Sequence, residues 1–198
     1  MPDTFQRRAV DWVYLGPYGD FRILEPRPAA LLPGSFNPLH HGHTILAGRA
    51  AERLGLPVAF ELSVANVDKG ELCFSEVSRR LDQFRGRHPV YLTRAPTFRE
   101  KAVLFPGCVF VVGADTAARV VHPNYYGGDP AEMVRALDDI YAQGCRFLVG
   151  GRIDPDGRFA DLGGVRIPPG YRDMFTGLGE REFRVDVSST ELQRKGTG

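Results

Sequence analysis

Residues 29–55 read AALLPGSFNPLHHGHTILAGRAAERLG: an apolar run, a turn, then an apolar periodic run that stops at a glycine. Ala29–Ser35 has the length and composition of a buried strand. From Thr44 onward Leu46, Ala50 and Leu54 recur at four-residue spacing up to Gly55, a residue suited to a left-handed helix end. The segment between them, Gly34–His43, is therefore a strand-to-helix crossover, with the helix beginning near His43. Such crossovers in α/β sheets are where ligands bind, because the helix start directs unpaired N–H groups and the positive end of its dipole outward. This one holds three of the chain's five histidines within four residues.

The same alternation extends in both directions. Four further short apolar runs read as strands: Pro57–Val64, Pro89–Thr93, Cys108–Gly113 and Cys145–Gly150, with Phe183–Val187 as a candidate sixth. Between them, Val77, Leu81 and Phe84 form one apolar stripe behind Ser75, a capping hydroxyl, which predicts a second helix. A third runs from Asp129 as cap and Pro130 at the first helical position, through Met133, Leu137, Ile140 and Tyr141, to Gly144. Gly/Pro-rich stretches at Pro123–Asp129 and Gly150–Tyr171 read as loops. Strands alternating with helices predict a doubly wound parallel sheet of five to six strands. Residues 28–198 form that single domain, and residues 1–27 match no pattern that assigns them a role.

The chain has 198 residues, a net charge of +1 and 43% apolar residues, which suits one folded domain. Charges of both signs are evenly mixed, so the electrostatics call for neither nucleic acid nor an anionic membrane surface. No run approaches the ~20 apolar residues of a membrane span. Cys73, Cys108 and Cys145 lie far apart without a Cys-x-x-Cys pair, and no charged-then-apolar leader is read, so a reducing, cytoplasmic setting is expected. The sequence leaves the oligomeric state open.

Two imidazoles three residues apart, His40 and His43, can point into one space and donate hydrogen bonds to phosphate oxygens, while His41 points elsewhere. A transferring phosphoryl group needs donors that are not permanently cationic, and imidazole is one. No cysteine, glutamate or further histidine stands at a familiar ligand spacing, so the cluster is not read as a metal site. His88 and His122, each followed by proline, read as turn or surface residues. Neither a Gly-x-Gly-x-x-Gly fingerprint nor a Walker lysine pattern occurs, which disfavours dehydrogenases and P-loop enzymes. Trp12, Tyr125, Tyr126 and Phe175 lie in or beside loops, where any could stack on a ring.

GSFNPLHHGH resembles the His-x-Gly-His signature of the nucleotidylyltransferase superfamily, and its Gly-Ser-Phe-Asn-Pro lead resembles the nicotinamide and nicotinate mononucleotide adenylyltransferases. Phosphopantetheine adenylyltransferases and cytidylyltransferases usually have Asp at the place of Asn37. Near the other end, VSSTEL (Val187–Leu192) resembles the family's Ile-Ser-Ser-Thr-x-Ile-Arg block, which opens a helix facing the ATP phosphates. The family's arginine falls on Gln193, with Arg194 one place later. VVGADT (Val111–Thr116) resembles the family's Gly-x-Asp at a strand end.

The resemblance implies a Rossmann-like fold and transfer of AMP from ATP to a small phosphorylated acceptor, with Mg2+ and release of pyrophosphate. It implies His40 and His43 as catalytic residues. Gly34, Ser35, Phe36, Asn37, Gly42, Gly113, Asp115, Ser188, Ser189, Thr190 and Arg194 are implied as nucleotide-binding, together with two basic residues at family-like positions, Lys69 and Arg152. The alternatives are another small acceptor, as in phosphopantetheine adenylyl or cytidylyl transfer, or nucleotide binding without turnover.

Overall fold

The computed structural model describes residues 3–24, 26–66, 70–153 and 159–183. In chain order these form α1 (Asp3–Gln6), β1 (Trp12–Leu15), β2 (Phe21–Ile23), β3 (Ala30–Pro33), α2 (His41–Leu54) and β4 (Val58–Ser63). A two-residue ribbon follows, β5 (Ala65–Asn66) with β6 (Gly70–Glu71), then α3 (Phe74–Asp82), β7 (Val90–Thr93), α4 (Phe98–Leu104) and β8 (Val109–Gly113). The remainder is α5 (Ala114–Val120), α6 (Pro130–Ala142), β9 (Arg146–Gly150), a small ribbon of β10 (Arg152–Ile153) and β11 (Phe159–Ala160), and β12 (Phe175–Leu178).

Among the described residues eight strands form one sheet in the order β12-β9-β8-β3-β4-β7-β1-β2. The first six named are parallel to one another, and the β1–β2 hairpin is added antiparallel to β7. Residues 1–27, to which the sequence assigned no role, thus supply two strands of the same sheet. The five strands read from apolar runs are all present. A sixth parallel strand is Phe175–Leu178, and the candidate strand Phe183–Val187 falls, but for Phe183, outside the described residues. A four-residue strand with a glycine inside has too little pattern to read locally, and its pairing with β9 is what makes it a strand.

Alternation along each strand builds two cores. On one face Leu31, Phe110, Val112, Phe147 and Val149 pack with Ala102 of α4, Ala117 of α5 and Leu137 of α6. On the other, Leu32, Phe60, Leu92, Val111 and Leu148 pack with Leu46 and Ala50 of α2 and Val77 of α3. The sheet is therefore doubly wound. Trp12 and Phe175 belong to the first core, Trp12 against Tyr91 and Phe105 and Phe175 stacked on Phe147 at 4.8 Å, so neither is free to hold a ligand ring.

Helix ends follow local chemistry. α2 stops at Gly55 with φ 63°, and α6 starts where the Asp129 side chain accepts the Ala131 N–H beside Pro130. Thr97 and Glu100 form a reciprocal cap on α4. Two starts differ from the sequence reading. α2 begins at His41 rather than near His43, with His40 at the cap position, and α3 begins at Phe74, so Ser75 lies within its first turn behind Cys73.

The chain leaves β3 through α2 to β4 on one side, and later enters β8 on the other side of β3. Neighbouring crossovers diverge between the carboxyl ends of β3 and β8. That divergence opens the crevice in which doubly wound sheets bind ligands.

Candidate active site

The crossover after β3 is a wedge held from outside. Phe36 adopts a left-handed backbone (φ 45°) and turns its ring into the core, edge-on to Phe60, Phe84 and His43. Gly34 is required by that ring, because a Cβ there would lie 2.7 Å from its carbons. α3 clamps the loop. Arg79 Nη2 donates to Asn37 Oδ1, Arg80 Nη1 to the Ser35 carbonyl at 2.9 Å, and Gln83 Nε2 to the Phe36 carbonyl at 2.9 Å, while Gln83 Oε1 accepts the Leu39 N–H at 2.8 Å. Phe36 and Asn37, named as ligand contacts by sequence, thus shape and anchor the loop with their side chains. Arg79, Arg80 and Gln83 were missed, since nothing local marks a polar helix face as a loop clamp.

At the head of α2 the rings of His40 and His43 stack, 3.7 Å between centroids and 25° between planes. The His40 backbone N–H donates to His43 Nδ1 at 3.3 Å, so in the neutral ring the proton sits on Nε2, which becomes a donor. Burial first, and then His40, holds the His43 pKa at about 4. Burial, and then His41, pushes His40 below the ordinary histidine value. Both rings are accordingly neutral donors near pH 7. His41 is exposed and borders neither of the cavities described next.

His40 and His43 border a cavity of about 290 Å3 between the ends of β3, β8 and β9. Gly42, Gly113, Asp115 and Arg152 line it as well. Gly113 and Gly150 stand side by side in the sheet register, and a Cβ on Gly113 would meet nothing within 4 Å, leaving room for a ligand to approach the backbone. Asp115 pairs with Arg152 across the mouth at 2.8 Å, so each reaches the site from a different strand end. Phe183 forms part of the wall. Lys69, Ser188, Ser189, Thr190, Gln193 and Arg194 lie outside the described residues.

A second cavity of about 350 Å3 shares Pro33, Gly34 and Thr116 with the first. Ser35, Arg80, Arg119, Tyr125 and Tyr126 border it, and its wall includes two buried charges, Glu61 of β4 and Lys101 of α4. These two were missed by sequence. The available signal was a single carboxylate inside the otherwise apolar strand VAFELS, where a charge needs a partner.

Paired imidazoles at a helix head, set in the crevice of a doubly wound sheet, define a nucleotidyltransferase of the His-x-Gly-His type. The family described as Cytidylyltransferase-like matches residues 31–195, and the chain belongs to that family. No curated protein matches the chain. Among the described residues no helix is long and apolar enough to cross a membrane.

Proposed function

We propose that the protein is an adenylyltransferase that moves AMP from ATP to nicotinamide or nicotinate mononucleotide, forming NAD or its deamido form. The observation that carries this reading is the stacked His40–His43 pair, two neutral donors side by side on the wall of a cavity that adjoins a second one through Pro33, Gly34 and Thr116. ATP occupies the cavity under His40, His43 and Gly113, and the acceptor occupies the neighbouring one. Asn37 and the Gly-Ser-Phe-Asn-Pro lead support the pyridine-nucleotide branch, and Tyr125 and Tyr126 offer a ring platform beside Arg119.

An oxygen of the acceptor's phosphate attacks the α-phosphorus of ATP in line. The new O–P bond forms as the bond to the β-phosphate oxygen breaks, and pyrophosphate leaves with the bonding pair. The nucleophile is already an anion, so no general base and no covalent enzyme intermediate are needed. The protein's work is to hold two anions together and to donate hydrogen bonds where charge grows. His43 Nε2–H and the half-buried His40 ring do so from the cavity wall. Mg2+ would enter on the triphosphate as part of the substrate. The free thiols Cys73, Cys108 and Cys145 suit a cytoplasmic setting.

The test is pyrophosphate release from ATP or CTP against a panel of small phosphorylated acceptors. ATP with a pyridine mononucleotide is the expected pair. Turnover with CTP alone would replace adenylyl by cytidylyl transfer, and calorimetric ATP binding with background pyrophosphate release would leave a nucleotide-binding protein.

A further inference from the structure

Glu61 and Lys101 are 1% and 4% exposed, and each needs a reason to be charged and buried. Lys101 Nζ donates to Glu61 Oε1 at 2.8 Å and to the Ala95 carbonyl, and the buried Thr93 hydroxyl donates to the same Oε1. Two groups thus lock one carboxylate oxygen. The other, Oε2, accepts no hydrogen bond from the described residues, and Lys101 has one of its three N–H groups left over. Both residues border the second cavity. Its wall therefore displays an acceptor beside a donor, held rigidly and neutral as a pair.

We propose that the Glu61–Lys101 pair selects the acceptor, favouring a phosphorylated molecule that presents a neutral donor–acceptor group, a carboxamide or a hydroxyl, over its carboxylate counterpart. This rests on reading the second cavity as the acceptor's seat. A carboxamide matches both atoms, its N–H on Oε2 and its oxygen on Nζ, and a hydroxyl matches them with one atom. A carboxylate satisfies Nζ but brings a second negative charge against the buried carboxylate of Glu61. The cations that would offset it are engaged elsewhere: Arg80 is tied to Glu76 and the Ser35 carbonyl, and Arg119 lies over the Tyr125 ring at the rim, placed for the acceptor's phosphate.

Two matched pairs test the selection, nicotinamide against nicotinate mononucleotide for the carboxamide and glycerol 3-phosphate against 3-phosphoglycerate for the hydroxyl. Binding to the full chain is measured by calorimetry, and pyrophosphate release with ATP and CTP separately. The neutral member of the better-bound pair is expected to bind at least about tenfold tighter, the scale of a misplaced buried charge. Glu61→Gln keeps the shape, gives a donor to a carboxylate and leaves Lys101 cationic, so the ratio should fall to near one or invert. A purely structural pair would lower stability and leave the ratio alone. An acid bound as well as its neutral partner by the wild type overturns the inference, and that ratio decides by itself if Glu61→Gln does not fold. Selective binding without pyrophosphate release would instead sink the transferase reading alone, and no binding by any of the four would sink both.

Discussion

Replacing His43 by alanine tests whether its ring works as a neutral donor. Its Nδ1 accepts the His40 N–H, which leaves Nε2–H to meet charge developing on the leaving phosphate. A preorganised donor of this kind contributes about 3 to 4 kcal/mol to the transition state, so kcat should fall a hundred- to thousandfold while the acceptor's KM changes by less than about threefold. The pH dependence follows from the same burial. The native pKa of about 4 lies below the ordinary 6.5, so the neutral ring stabilises the fold fully above pH 6.5. That contribution is lost as pH falls through 4, by up to about 3 kcal/mol, because the unfolded chain takes up the proton first. Urea unfolding of wild type and His43→Ala at pH 7 and pH 4 should therefore diverge by about that amount, the wild type losing more on acidification. The wild-type to variant ratio of kcat, in which the titration of substrate phosphates cancels, should stay flat from pH 8 to 5.5. Parallel unfolding curves together with a ratio that titrates near 6.5 would refute the neutral-donor account.

Lys101→Met strands the Glu61 carboxylate in the core at a cost of about 3 to 5 kcal/mol, which for a chain of this size lowers Tm by roughly 10 °C; a fall under about 3 °C in a thermal melt would contradict the burial argument. Gly113→Ala adds a Cβ that meets no other protein atom within 4 Å and narrows the cavity beside His40 and His43, so Tm should hold while the Kd for ATP rises by about several-fold. Gly34→Ala drives a Cβ into the Phe36 ring and should cost about 1 to 3 kcal/mol in denaturant unfolding, with a parallel loss of kcat as the ring that backs His43 shifts.

Much of the site was legible because its parts sit in one short stretch. The strand, the turn and the helix at residues 29–55 follow from periodicity and glycine placement, and the three-residue spacing of His40 and His43 follows from the helix head. Asp115 and Arg152 were named from strand ends, yet their mutual ion pair was not, since they stand 37 positions apart. The helix start was misplaced by two residues because backbone geometry at His40, rather than an apolar residue, begins α2. Resemblance named Phe36 for the nucleotide site, and what only the fold added is that its buried ring is the wedge that supports His43.

Local pattern alone therefore determined the winding of the sheet and the place of the imidazoles, since hydrophobic alternation and turn chemistry act over a few residues. Tertiary structure decided the rest: that residues 12–23 extend the sheet, that α3 clamps the loop, and that Glu61, Thr93 and Lys101 meet in one wall. Those three come from two strands and a helix, and a buried charge reveals its purpose only when the fold brings its partners within hydrogen-bonding distance.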